Sequence, residues 1–74
     1  MNKRYTFNIN MPYAKCQELY NVDIKYIVVE DLNGKRIQLL KKHILRFLSP
    51  SGIHGVFTLE VDQNNSFKSI EKNA

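Results

Sequence analysis

The feature that most constrains this chain is the run Gly52-Ile53-His54-Gly55-Val56-Phe57-Thr58-Leu59-Glu60-Val61-Asp62. From Val56 the residues alternate, with Phe57, Leu59 and Val61 on one face and Thr58 and Glu60 on the other. That is the period of a half-buried strand. The two glycines at its head permit a bend, a bulge or the close approach of another backbone. Such a strand needs partners with the same one-sided pattern, and the rest of the chain supplies them.

Arg4 to Ile9 alternates in the same way, with Tyr5, Phe7 and Ile9 on the apolar face. Asn10-Met11-Pro12 then reads as the start of a short helix, with Asn10 or Met11 at the cap and proline in the first turn. Tyr13, Cys16, Leu19 and Tyr20 form its apolar stripe, and Asn21 suits a left-handed stop. A β-branched run from Ile24 to Glu30 is followed by Asp31-Leu32-Asn33-Gly34 and a strand from Arg36 to Leu40.

The turn chemistry sets the register of that hairpin. With Asn33-Gly34 as a two-residue loop, Glu30 would oppose Ile37. With Leu32-Asn33-Gly34 as a three-residue loop and Gly34 left-handed, Val29 opposes Ile37, Ile27 opposes Leu39 and Glu30 faces Arg36. Matched cross-strand pairs contribute about 0.2–1 kcal/mol each, so the second register is expected. Gly34 should then tolerate a side chain less well than Gly55.

Lys41 to Ser49 reads as one or two helical turns, ended by Ser49-Pro50-Ser51-Gly52. After the organising strand come a turn at Gln63-Asn64-Asn65 and a last strand from Phe67 to Glu71. Phe67 and Ile70 have opposite parity, so that strand bends or buries one of them. Residues 1–74 read as one small domain, mainly β (α+β). The expected architecture is a five-stranded antiparallel curled sheet or an SH3-like barrel, which would remove exposed edges. One short helix follows the first strand, and a helical turn precedes the fourth. Phe7, Ile9, Ile27, Val29, Ile37, Leu39, Phe57, Leu59 and Val61 are the expected core.

The chain resembles a family of short bacterial proteins known as domain of unknown function 2835. The likeness rests on Tyr5 to Ile9, the Tyr13 to Tyr20 segment and Asn33-Gly34-Lys35-Arg36. Ile44-Leu45-Arg46-Phe47 and Gly52-Ile53-His54-Gly55 running into Phe57-Thr58-Leu59 complete it. Where the family usually has a glycine after the helix this chain has Asn21, and Arg46 stands where a proline is common. The resemblance implies a single-domain layout and no activity.

Chemistry is sparse. Cys16 is the single cysteine, which excludes an internal disulfide and fits a reducing compartment. The first residues contain no apolar run of signal or membrane-spanning length, so a soluble cytoplasmic protein is expected, without membrane contact. Cys16, His43 and His54 lack the spacing of a metal site, and no nucleotide fingerprint is present. No metal, cofactor or enzymatic activity is expected. His54, between two glycines, is either a polar group close to a ligand or a local brace for the bend, the brace being the simpler account.

The net charge of +4 is unevenly spread. No acidic residue lies between Leu32 and Leu59, whereas Lys35, Arg36, Lys41, Lys42 and Arg46 do, together with His43. One surface carrying the five cations would suit RNA or DNA phosphates, with Tyr13 or Tyr26 for stacking. Equally, a small basic chain places lysines wherever its core leaves room. Two functions follow: a non-enzymatic adaptor that docks a protein through a sheet edge or groove, and a nucleic-acid-contacting accessory protein.

Overall fold

The long strands β1 (Lys3–Pro12) and β4 (Gly52–Val61) pair antiparallel over their whole length, in a computed structural model that describes residues 2–73. Their inward residues meet in register, Phe7 opposite Phe57 and Tyr5 opposite Leu59. β5 (Phe67–Lys72) adds to the far side of β4, giving a three-stranded sheet in the order β1-β4-β5. β2 (Tyr26–Glu30) and β3 (Arg36–Leu40) form a separate two-stranded sheet. Helix α1 (Tyr13–Gln17) runs into a 3₁₀ turn at Glu18–Tyr20, and α2 (Lys41–Leu45) links β3 towards β4.

Five antiparallel strands are therefore present, but neither as one sheet nor as a closed barrel. The seam beside β1 is reduced to a Phe7–Asp31 bridge and a hydrogen bond from the Leu32 N–H to the Thr6 carbonyl (2.9 Å). β3 and β5 do not pair. Strand length explains the gap. Both hairpin strands have half the length of β1 and β4. Moreover, α2 begins at Lys41, directly after β3, and turns the chain away before a second ladder can form.

The β2–β3 register is the expected one: Val29 opposite Ile37, Ile27 opposite Leu39, Glu30 opposite Arg36. Gly34 has φ 84°, as the three-residue loop requires. The β4–β5 loop is built identically. In Asp31-Leu32-Asn33-Gly34-Lys35 the Asp31 Oδ1 accepts the N–H of Asn33 (2.9 Å) and of Lys35 (2.7 Å). In Asp62-Gln63-Asn64-Asn65-Ser66 the Asp62 Oδ1 accepts the N–H of Asn64 (2.8 Å) and of Ser66 (2.9 Å). Asn65 takes the left-handed position with φ 66°, a conformation that asparagine tolerates. The greater tolerance expected of Gly55 lacks a backbone basis, since its φ of 145° also disfavours a side chain.

The Ser66 and Asn64 hydrogen bonds hold the Asp62 carboxyl below its ordinary value of 3.8, with Lys68 and Lys3 adding to the effect. A depressed carboxyl contributes stability that is complete above the ordinary value and is lost as pH falls through the lowered one. The urea midpoint of the parent should therefore exceed that of Asp62→Asn at pH 7, and the difference should shrink between pH 4 and pH 2. A difference that does not change with pH would place the loop's stability elsewhere.

The helix after β1 departs from expectation at both ends. Asn10 and Met11 are strand residues, paired with His54 and Ile53. Pro12 takes the cap position, with φ −66° and no side-chain cap bond. The ladder with β4 claims the backbone that a polar cap would have served. At the far end Asn21 is extended (φ −64°, ψ 124°) and not left-handed. The orphan carbonyls there are satisfied by the Lys41 ammonium, which donates to the carbonyls of Leu19 and Asn21, so no left-handed turn is needed. Of the predicted stripe, Cys16 and Leu19 are buried whereas Tyr13 and Tyr20 are exposed.

The core contains Phe7, Ile9, Leu39, Phe57, Leu59 and Val61, as expected, completed by Cys16, Ile44, Ile53 and Ile70. Ile27, Val29 and Ile37 pack against it but stay half-buried, because the short hairpin covers the sheet incompletely. On β5, Ile70 is buried and Phe67 is left at the surface. Among the described residues no helix is long and apolar enough to cross a membrane.

Candidate functional site

The unclosed gap between the two sheets is a cleft of about 350 Å³. Leu59 and Val61 of β4 form its apolar floor, with Tyr5 and Phe67 at the sides. The opposing wall is β3, of which every residue from Arg36 to Leu40 lines the cleft. Consecutive strand residues point to opposite faces. A cleft that touches all of them therefore runs along the strand's edge.

Among the described residues, the outer backbone groups of that edge have no hydrogen-bond partner. At the ends of the hairpin ladder the Asp31 N–H donates to the Lys35 carbonyl (2.8 Å) and the Lys41 N–H to the Lys25 carbonyl (2.9 Å). Hydrogen-bonded positions alternate in an antiparallel pair. Lys35, Ile37, Leu39 and Lys41 thus turn their backbone groups toward β2. Arg36 and Gln38 turn theirs the other way, into the cleft.

Cations sit at one end of this wall and no acidic residue lines it. The Lys35 Nζ lies 5.0 Å over the Tyr5 ring and 3.3 Å from its hydroxyl. Arg36 is exposed and, although opposite Glu30, forms no ion pair with it. At the other end the His43 ring lies flat on Phe67, with centroids 3.7 Å apart and planes 6° from parallel. Burial in this stack, then the Lys42 and Arg46 charges, lower the His43 pKa, so the ring is neutral at pH 7.

The five sequence-selected cations are differently engaged. Lys35 and Arg36 share the cleft mouth. Lys41 is committed to the Leu19 and Asn21 carbonyls. Arg46 donates to the Ile70 carbonyl (3.1 Å) and covers Phe47. Lys42 is exposed on α2, without a hydrogen bond or ion pair among the described residues. His54 lies outside the cleft lining, where Nε2–H donates to the Ser51 carbonyl (2.9 Å) and Nδ1 meets the Asn10 side-chain amide at 2.5 Å. It ties β1 to the turn ahead of β4, the bracing role. Among the described residues, no three of His, Cys, Asp or Glu cluster as a metal would require.

Tyr5, Gln38 and Phe67 escaped the sequence reading as site residues. A signal was present for Phe67 alone: Phe67 and Ile70 cannot both face inward from a regular strand. The sequence model of a protein family described as a protein of unknown function, DUF2835, matches residues 3–73. This chain belongs to the DUF2835 family. No curated protein and no solved structure gives a significant match. In this DUF2835 chain, then, the cleft is described by its geometry alone.

Proposed function

We propose that the protein is a small non-enzymatic binding module that docks a protein partner along the open edge of β3. The observation that carries this reading is the alignment of a free strand edge with a cleft of mixed apolar and aromatic lining. Main-chain groups of an added strand supply affinity at such an edge, and side-chain pockets beside it supply specificity. The possible catalytic groups are otherwise engaged: Cys16 is buried and His54 is hydrogen-bonded on both ring nitrogens. A buried free thiol also fits the reducing conditions of the cytoplasm.

The nucleic-acid reading draws support from the same carboxylate-free lining. It is the weaker one, because Lys35 already occupies a face of Tyr5 and His43 a face of Phe67. Two of the five cations are moreover committed to backbone carbonyls. Gln38→Pro separates docking at the edge from other modes. The lost N–H points away from β2, and proline is tolerated on that side of an edge strand. Affinity capture from the native cell should recover a nuclease-resistant partner with the parent and lose it with Gln38→Pro, while circular dichroism shows both folded. Recovery that nuclease abolishes would favour RNA or DNA, and equal recovery by both chains would exclude the β3 edge.

A further inference from the structure

Building on the docking reading, we infer that the partner presents an extended acidic segment, which adds to β3 as a third strand of the small sheet. Its acidic side chain lies against Lys35 and Arg36, and its neighbouring apolar side chain enters the cleft over Leu59 and Val61.

The polarity of the segment follows from the parity of β3. Lys35, Ile37 and Leu39 belong to the face that looks on the core, whereas Arg36, Gln38 and Leu40 belong to the outer face. An added strand meets the outward N–H and C=O groups of Arg36 and Gln38. Its own side chains then alternate between the outer face and the apolar interior of the cleft. Lys35 lies at the inner lip and Arg36 at the outer lip of the same end of β3. A carboxylate there meets a cation whichever face it takes. Further along, the inner side chain meets Ile37, Leu59 and Val61, where only apolar groups are stabilised by burial.

Charge decides the kind of occupant. The cleft lining contains Lys35 and Arg36 and no carboxylate, so a basic or neutral segment leaves these cations uncompensated. A second copy of the chain fits poorly for the same reason, because antiparallel pairing of two β3 edges about Gln38 supplies no carboxylate to Lys35 or Arg36 and sets Lys35 of each copy opposite Lys41 of the other. Nucleic acid can answer the charge, but it has no alternating N–H and C=O groups to offer the edge.

The test is selection of random twelve-residue peptides on the immobilised full chain, followed by titration of the enriched peptides. Acidic peptides with an apolar residue one or two positions from a carboxylate should be enriched. Their affinity should fall severalfold between 50 and 500 mM salt, because the charges lie at the exposed cleft mouth. The double variant Lys35→Glu, Arg36→Glu should bind them at least tenfold more weakly and should instead select basic peptides. Gln38→Pro should bind neither set. If parent and charge-reversed chains select the same peptides and Gln38→Pro still abolishes binding, docking at the edge stands and the acidic partner is overturned. If no peptide is selected, or if Gln38→Pro binds like the parent, both are overturned. Concentration-dependent self-association in sedimentation, abolished by Gln38→Pro, would make a second copy the occupant. Binding of oligothymidylate in competition with the selected peptides would make it nucleic acid. Either result overturns the acidic segment.

Discussion

Replacing Gly52 by alanine leaves most of the chain unfolded at 25 °C. Gly52 is buried, with φ 117°, at the point where β4 meets the end of β1. A Cβ there would overlap the Met11 carbonyl oxygen and stand 2.8 Å from the Pro12 carbonyl carbon and the Tyr13 nitrogen. All three are backbone atoms, so the contact cannot be relieved by turning a side chain. Relief means parting β1 from β4, together with the Ser49–Gly52 hydrogen bonds in both directions. The left-handed backbone alone costs a non-glycine residue roughly 1–3 kcal/mol. With the overlap added, the total exceeds about 4 kcal/mol, the range reserved for severe core lesions. A chain this short has only a few kcal/mol in hand. Gly34→Ala is the natural comparison, since its φ is 84° but nothing lies within 4 Å of the added atom. Urea titration followed by circular dichroism checks both. A Gly52→Ala midpoint no lower than that of Gly34→Ala would show that the two ends of β1 and β4 are not so closely apposed.

Phe57→Ala is the second large effect. Its ring is fully buried, lies near-parallel to Phe7 with centroids 6.0 Å apart, and meets Phe47 edge-on at 5.0 Å. Phe57 therefore joins the middle of the long β1–β4 ladder to the segment after α2, which backbone hydrogen bonds tie to β4 only at its end, between Ser49 and Gly52. Truncating a buried phenylalanine to alanine costs about 3–5 kcal/mol through lost transfer energy and the cavity left behind. Phe57→Leu should recover more than half of the loss, because it refills much of that cavity. Equilibrium urea unfolding of the three proteins measures the differences. A loss below about 1 kcal/mol for Phe57→Ala would mean that the core collapses freely around the site, contrary to the tight packing of protein interiors.

The candidate site was legible only in its parts. Lys35 and Arg36 stood out because they follow a loop whose chemistry is unambiguous, and that loop places them at the end of an edge strand. Lys41 and Arg46 looked identical to them in the sequence. Lys41 is drawn off by carbonyls at the end of a helix twenty residues earlier, and Arg46 by a carbonyl twenty-four residues later. Nothing within a few positions of either residue announces these partners. His54 was bracketed by glycines in a way that suggested a bend, and its bonds to Asn10 and Ser51 show what the bend holds.

The amino-acid order by itself determined which faces of β1 and β4 are apolar, the β2–β3 register, and the position of the turn between β4 and β5. Each of these depends on side-chain parity or on an Asp-x-Asn loop, interactions confined to a few neighbouring residues. Only the tertiary structure decided that β1 pairs with β4 along ten residues, that the hairpin forms its own sheet, and that β3 keeps a free edge beside a cleft. The reason is that closure is a competition between distant edges. Strand lengths, the entry of α2 directly after Leu40 and the burial of Ile44 settle it together, and no local pattern encodes their sum.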